Sequence, residues 1–166
     1  MKNSGFTLVE ILIVVIILGI LAAIVIPQFT EASNDARESS LASDLQTVRS
    51  QLELYKVQHL EKYPNEITGV GTDLALWKEQ LLSRTNSAGE VMPDGGDAAD
   101  YPFGPYLQAF PTNGFVSGDA NDPIAVSFGT ADPAPGDGLT GWYFNTDTGK
   151  FSANSDKVKY PAHIGL

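Results

Sequence analysis

One apolar segment near the N-terminus limits what this chain can fold into more than any other feature does. Residues 6–26 read FTLVEILIVVIILGILAAIVI, 21 residues in which Glu10 is the one charged side chain. At 1.5 Å per residue, a helix of that length spans roughly 30 Å, the thickness of a bilayer's hydrocarbon core. A buried core helix is usually amphipathic, and a cleaved secretory signal has a shorter apolar region followed by a small-residue cleavage site. The segment therefore favours a retained membrane anchor over these two alternatives.

Glu10 is the unusual residue of this segment. A carboxylate inside a membrane costs several kcal/mol unless it finds a partner, so it either lies near the headgroups or pairs with a cation. No Lys or Arg occurs between Lys2 and Arg37. Cleavage of the chain before Phe6 would create an α-amino group four residues away, and that amine could reach Glu10 of a neighbouring chain.

The segment MKNSG|FTLVEILIVVIILGILAAIVIPQF resembles the class III leader of type IV pilins and pseudopilins. The resemblance rests on a short basic leader (residues 1–5), Gly5, Phe6, Glu10, the apolar run and Pro27. It implies that a prepilin peptidase cleaves after Gly5 and N-methylates Phe6. It also implies that Glu10 pairs with the amino terminus of an adjacent subunit and helps to draw new subunits into a filament.

The apolar segment is followed by a second, amphipathic helical segment, residues 27–63. Pro27 has no N–H and clashes with the preceding turn, so a helix either ends there or continues with a kink. Continuation is favoured because residues 32–62 lack Gly and Pro, and Tyr63-Pro64 predicts the end near Lys62. Apolar residues recur at steps of three and four and predict one buried face: Leu41, Leu45, Val48, Leu52, Tyr55 and His59. In this pattern His59 is interpreted as a core residue rather than a ligand.

Residues 64–166 form a loop-rich head rich in Gly, Pro, Asp and Asn. We predict a short helix over residues 72–84, capped by Thr72 or Asp73, with Leu74, Trp77 and Leu81 on its inner face. Three short strands are predicted, at residues 124–128, 142–144 and 150–153, the last two joined by a hairpin turn with Gly149 at positive φ. The fold class is therefore α+β: a long N-terminal helix packed on a small antiparallel sheet, a pilin-like arrangement.

Part of the head also resembles the major pseudopilins, the protein G family of type II secretion. The resemblance is carried by SDLQTVRSQLELYKVQHLEKYP and YLQAFPTNGF. The family's late calcium-binding loop is absent, and GWYFNTDTGKFSANS stands in its place. No calcium ligand can therefore be transferred from the family to this chain residue by residue.

The chain is acidic, with 10 Lys+Arg against 20 Asp+Glu and a formal net charge of −10. No basic residue lies between Thr85 and Gly149, which disfavours nucleic acid as a partner. Ca²⁺ prefers several carboxylate oxygens on flexible loops, so this region either binds calcium or presents a solvated acidic face. The weak calcium candidates are Asp94, Asp97, Asp100, Asp119 and Asp122.

An enzyme is the function class that the sequence favours least. The chain has no Cys and two isolated His, and it lacks the Walker A, G-x-S-x-G and H-E-x-x-H motifs. The resemblance implies instead a filament subunit without a cofactor. Such a subunit is anchored in the inner membrane with its N-terminus cytoplasmic and its head periplasmic, and it then enters a periplasmic or surface filament. The implied partners are copies of itself, other pseudopilins, the prepilin peptidase and an inner-membrane assembly platform. A type IV pilin of a surface filament, used for adhesion, motility or DNA uptake, and a membrane-tethered domain that never polymerises are the alternatives.

Overall fold

The computed structural model describes residues 7–66, 73–117, 121–132 and 134–163. The chain divides into two compact units, Met1–Ser39 and Ser40–Leu166. In chain order these described residues form two helices, three strands and a final 3₁₀ turn: α1 Leu8–Gln58, α2 Leu74–Leu82, β1 Asp122–Gly129, β2 Thr140–Asn145, β3 Phe151–Ala153 and Pro161–His163. The α+β fold class predicted from the sequence is confirmed.

Helix α1 contains 51 residues and continues through Pro27. Its buried side chains are those of the predicted apolar stripe: Leu41, Leu45, Val48, Leu52 and Tyr55. The predicted stripe is confirmed by the burial of these five side chains. They all lie after Ser40, where the second compact unit begins. The part of α1 in the first unit has almost no buried surface.

The predicted end of this helix at Lys62 is wrong, because α1 ends at Gln58. Leu60 and Glu61 adopt left-handed φ values of 57° and 61°, and the Glu61 N–H donates to the Lys56 carbonyl oxygen at 3.0 Å. A left-handed closing turn of this kind satisfies carbonyl groups that the helix leaves free. The chain therefore leaves the helix before it reaches Pro64, the residue that was expected to stop it.

Helix α2 is shorter than the predicted 72–84 and covers Leu74–Leu82. Asp73 caps it: Oδ1 accepts hydrogen bonds from the N–H groups of Ala75 at 2.9 Å and Leu76 at 3.2 Å. Of the two predicted caps, Asp73 is confirmed, whereas Thr72 lies outside the described residues. Trp77 and Leu81 of the predicted inner face are fully buried.

The three strands form one sheet in the order β1-β2-β3, and the prediction of an antiparallel sheet is wrong for its first pair. Strands β1 and β2 are parallel, with Val126 opposite Trp142 and Phe128 opposite Phe144. Strands β2 and β3 are antiparallel, as predicted. The sheet is therefore mixed.

The parallel pair arises because the loop 130–139 brings the chain back to the end where β1 began. Buried Asn154, just after β3, holds this loop: its Oδ1 accepts from the Gly136 N–H at 2.9 Å, and its Nδ2 donates to Asp137 Oδ1 at 2.7 Å. The Asn154 carbonyl oxygen accepts from the Gly138 N–H at 3.0 Å. A hairpin would need no such return path, and in this fold the path is held by a residue that follows β3 in the chain.

The β2–β3 hairpin is built around Asn145. Its Oδ1 accepts from the N–H groups of Asp147 and Thr148, and its carbonyl oxygen accepts from the Gly149 N–H at 2.8 Å. Gly149 has a φ of 72°, as the turn prediction required. A Cβ at this position would also overlap the Tyr63 ring, so glycine is needed here for space as well as for backbone conformation.

The core of the second unit lies between α1, α2 and the sheet. Its largest fully buried side chains are Tyr55, Trp77, Trp142 and Phe151. The Phe151 ring stacks on both tryptophans, with centroid distances of 6.2 Å to Trp77 and 5.3 Å to Trp142. Aromatic side chains bury more apolar surface than other residues, so a small head can build its core from few of them.

Candidate functional site

The site predicted at the N-terminus begins with the processing residues, and the structure describes this region from Thr7 onward. Gly5 and Phe6 lie outside the described residues. Glu10 lies in the first turn of α1. Its Oε2 accepts hydrogen bonds from the Thr7 backbone N–H at 2.8 Å and from the Thr7 hydroxyl at 2.7 Å. The Thr7 Oγ1 in turn accepts from the Glu10 N–H at 3.3 Å.

These bonds form a capping box in which Thr7 is the N-cap residue and Glu10 is the third residue of the helix. The sequence signal T-L-V-E is present at residues 7–10, but the prediction for Glu10 did not use it. Both bonds end on Oε2, and Oε1 accepts no hydrogen bond from the described residues. The Glu10 carboxylate therefore holds the start of α1 through Oε2.

The helix surface after the capping box is apolar and exposed on all sides. Between Leu8 and Ile26 every large apolar side chain is 50% to 81% exposed. In the described part of the chain, α1 is the one helix long and apolar enough to cross a membrane, and none of its most apolar window is buried. Exposed apolar area of this extent is unfavourable in water, so the segment fits anchoring in an inner membrane or burial against other chains.

Pro27 lies inside this helix rather than at its end, so the alternative that the helix stops there is wrong. Close to it, the Thr30 hydroxyl donates to the Ile26 carbonyl oxygen at 3.1 Å. The kink assigned to Pro27 stays a prediction.

The candidate calcium ligands are dispersed over the head. Asp97 Oδ1 accepts from the Ala99 N–H, and Asp122 Oδ1 accepts from the N–H groups of Ile124 and Ala125. Asp119 lies outside the described residues, and within the described ranges no three acidic or imidazole side chains gather in a way that could hold a metal ion. Calcium binding at Asp94, Asp97, Asp100, Asp119 or Asp122 stays a prediction.

A polar cavity of about 120 Å³ brings together two other carboxylates, those of Asp137 and Asp156, beside Asn121. Sequence analysis did not pair them because 18 residues, which include strands β2 and β3, separate their positions. The Oδ1 atoms of Asp137 and Asp156 already accept backbone N–H groups, from Leu139 at 3.0 Å and Val158 at 2.8 Å. Both carboxylates therefore serve to hold their own loops.

His59 is a core residue, as the sequence pattern indicated. It is fully buried and stacks on Tyr55 with a centroid distance of 3.8 Å. Its Nδ1 lies 2.8 Å from the Tyr55 carbonyl oxygen and its Nε2 lies 3.0 Å from Thr85 Oγ1. Because a carbonyl can only accept, Nδ1 carries the proton and Nε2 accepts from the Thr85 hydroxyl. Burial lowers the pKa of His59 from its ordinary value, since the charged ring would lose its hydration.

This environment predicts a pH-dependent stability of the head. The unfolded chain binds a proton at His59 near the ordinary pKa of about 6.5, whereas the folded chain binds it only at lower pH. The free energy of unfolding is therefore expected to fall as the pH drops below about 6.5. The measurement is thermal unfolding of the full chain in detergent micelles, followed by the fluorescence of the buried tryptophans at pH 8 and pH 5.5.

The His59→Gln variant is the matched comparison for this prediction. It keeps a hydrogen-bonding side chain but removes the titrating group, so its midpoint should change less between the two pH values than that of the wild type. Equal pH dependence in the two proteins would contradict the assignment, because the remaining carboxylates and His163 are common to both.

Comparisons with known proteins agree with the geometry at the N-terminus. Residues 1–26 match the family described as the prokaryotic N-terminal methylation motif. The type II secretion system core protein G of Klebsiella pneumoniae is 32% identical over 110 residues, which cover 66% of this chain and 67% of that protein. The protein of the same name from Pseudomonas aeruginosa is 39% identical over 69 residues, covering 42% of this chain and 48% of that protein. That of Aeromonas hydrophila is 30% identical over 107 residues, covering 63% and 68%.

The extent of these matches differs between relatives. The chain spans about half the length of the relatives from Pseudomonas aeruginosa and Dickeya chrysanthemi, and about two thirds of that from Klebsiella pneumoniae. No solved structure matches the chain.

Proposed function

We propose that this chain, which belongs to the family of type II secretion system core protein G, is a structural subunit of a secretion pseudopilus. In this proposal the prepilin peptidase removes residues 1–5 and methylates Phe6. The mature subunit waits in the inner membrane, held by α1, and is then added to a growing fibre. Growth of the fibre moves folded proteins outward, and the subunit itself performs no catalysis.

The observation that carries this proposal is the exposed apolar surface of α1 between Leu8 and Ile26, which lies within the matched methylation motif and includes Glu10. Removing apolar surface from water is favourable by about 25 cal/mol per Å², so burial of this surface in lipid or against protein is strongly favoured. Lipid covers it before assembly, and the same helices of other copies cover it in a fibre. A head with its own core can stay in water throughout this transfer.

The proposed orientation and partners follow from the same arrangement. The short leader carries Lys2, and no basic residue follows it before Arg37, so the positive charge lies on the cytoplasmic side. The head then lies in the periplasm. The partners are copies of itself, other pseudopilins, the prepilin peptidase and an inner-membrane assembly platform, all through protein contacts or the membrane rather than nucleic acid.

The experiment that tests the proposal removes the chain from a cell that secretes proteins by a type II system. Export should stop and return when the chain is supplied again, and periplasmic fibres containing the chain should form when it is overproduced. Long surface fibres with unchanged export would instead identify a type IV pilin for adhesion, motility or DNA uptake. A chain that crosslinks to no second copy would be a tethered domain, and the proposal would be wrong.

A substitution at Gly5 gives a direct test of processing. Gly5→Val is expected to block cleavage, since the resemblance places the scissile bond after Gly5. Intact mass spectrometry of the membrane-extracted protein should then show the chain beginning at Met1 without methylation, whereas the wild type begins at methylated Phe6. Gly19→Ala is the control, because a Cβ there meets no atom within 4 Å, and this variant should be processed normally.

A further inference from the structure

Arg49 is a partly buried cation beside the core of the head, and it forms no ion pair with the residues that the structure describes. Its Nε–H donates to the Phe151 carbonyl oxygen at 2.8 Å, which ties α1 to β3. Its Nη2 is enclosed by protein and has no hydrogen-bond partner among the described residues. Within the described residues the one ion pair joins Lys150 and Asp132, so no carboxylate lies at ion-pair distance from Arg49. A half-enclosed guanidinium in this state favours the arrival of an acidic group.

Two neighbouring surface cavities share the Arg49 side chain. The first, about 210 Å³, also has Glu53 and Lys150 in its walls, so it already contains both signs of charge. The second, about 250 Å³, is lined by Ala42, Leu45, Gln46, Arg49 and Ser50, and Arg49 is its one charged residue. Because these five residues all belong to α1, the second cavity is a groove along one helix face. Ala42 and Ser50 have small side chains, which allow another helix to approach closely.

The same chain presents a complementary acidic stripe. Glu31, Asp35 and Glu38 lie at positions i, i+4 and i+7 of α1, so they share one face of the helix. All three are exposed, and none takes part in an ion pair within the described residues. This helical segment therefore carries a charge complementary to that of Arg49 in the groove.

We propose that the groove around Arg49 is a contact between copies of this chain, in which the guanidinium pairs with a carboxylate of the Glu31–Asp35–Glu38 stripe of a neighbouring copy. The proposal rests on polymerisation as the proposed function. In the proposed fibre, the acidic stripe of one copy contacts the groove of a neighbouring copy. The pair then forms only on assembly, so it favours the fibre over the free subunit without stabilising the isolated head.

Disulfide crosslinking tests the contact directly, because the chain has no Cys and every crosslink must come from introduced residues. Arg49→Cys is combined in turn with Glu31→Cys, Asp35→Cys or Glu38→Cys and oxidised in cells that assemble fibres. At least one combination should give a ladder at multiples of the chain mass. Thr47→Cys with the same partners is the matched control, since Thr47 is exposed but lies on another face of α1.

The outcomes separate this contact from the proposed function. Fibres without a ladder from any Arg49→Cys combination, or with an equal ladder from the Thr47→Cys controls, overturn the contact and leave polymerisation intact. A crosslinked band that is not a multiple of the chain mass also overturns it, because another protein would then occupy the groove. Absence of wild-type fibres contradicts the proposed function itself.

Charge reversal gives the second measurement. Arg49→Glu is expected to lower the amount of fibre about tenfold, and simultaneous reversal of the acid that crosslinked should restore it to within about twofold. Arg37→Glu changes the net charge equally outside the groove and should leave assembly unchanged. If Arg49→Glu fails to fold, as judged from its tryptophan emission, the crosslinking result decides. A reversed pair that stays as defective as Arg49→Glu alone, in a folded protein, contradicts the pairing.

Discussion

Replacement of Glu10 by Ala is expected to abolish fibre assembly while leaving membrane insertion and cleavage of the leader intact. The carboxylate that the replacement removes is, in the proposed fibre, the counter-charge for the amino group of a neighbouring Phe6. Removing one partner of a buried ion pair costs about 3–5 kcal/mol, on the order of a hundredfold or more in the equilibrium for adding each subunit. The measurement is the amount of sheared fibre and of exported protein, relative to wild type.

The capping box makes a sharper control available at this position. Glu10→Gln keeps an acceptor for the Thr7 N–H and hydroxyl, so it preserves the helix start, but it carries no charge. We expect Glu10→Gln to fail in assembly as Glu10→Ala does. Full assembly of Glu10→Gln would show that residue 10 contributes through helix capping, worth about 1 kcal/mol, and not through its charge. Normal assembly with Ala would contradict the pairing mechanism altogether.

Replacement of Gly141 by Ala is expected to cause the largest loss of stability of any single methyl added to the head. A Cβ at Gly141 would overlap the Pro123 carbonyl oxygen across the parallel β1–β2 pair. That oxygen accepts the Asn113 N–H at 3.0 Å, and the Gly141 carbonyl oxygen accepts Asn113 Nδ2 at 2.7 Å. Because backbone must move and break this network, we expect the free energy of unfolding to fall by about 3 kcal/mol or more.

The measurement is thermal unfolding of the full chain in micelles, followed through buried Trp142, which is next to the substitution. Gly95→Ala is the control. Gly95 has a φ of 77° but open space around it, so Ala there should cost only the backbone strain of about 1 kcal/mol. If the two variants unfold at the same midpoint, steric overlap at Gly141 is not what destabilises the sheet.

The part of the fold that could be predicted from the sequence depends on local periodicity. The stripe from Leu41 to Tyr55 follows from helical spacing alone, and Asp73 and Gly149 were identified from the local chemistry of caps and turns. The direction of β2 was missed because no local pattern shows that the chain returns to the start of β1 before β2, a path along which Asn154 contacts Gly136 and Asp137. The end of α1 was placed late because left-handed Leu60 and Glu61 carry no glycine signal.

The candidate site divides in the same way. Gly5, Phe6, Glu10 and Pro27 were assigned from a motif that is contiguous in sequence, and their roles in processing and assembly stay predictions. The capping role of Glu10 could also be predicted from T-L-V-E at residues 7–10, whereas the prediction for Glu10 used only its charge within an apolar segment. The burial of Arg49 Nη2 could not be predicted, since Arg49 contacts Phe151 of β3, which lies 102 residues further along the chain.

The sequence by itself determined that this chain has an apolar N-terminal helix with one carboxylate and that its N-terminal motif resembles that of pilins and pseudopilins. It could do so because membrane length, charge and a contiguous motif are properties of neighbouring residues. The tertiary structure decided the mixed sheet, the tight contact at Gly141, the burial of His59 and the enclosure of Arg49 Nη2 without a partner among the described residues. Each of these depends on which distant side chain fills the space around a residue, and only the packed core establishes that.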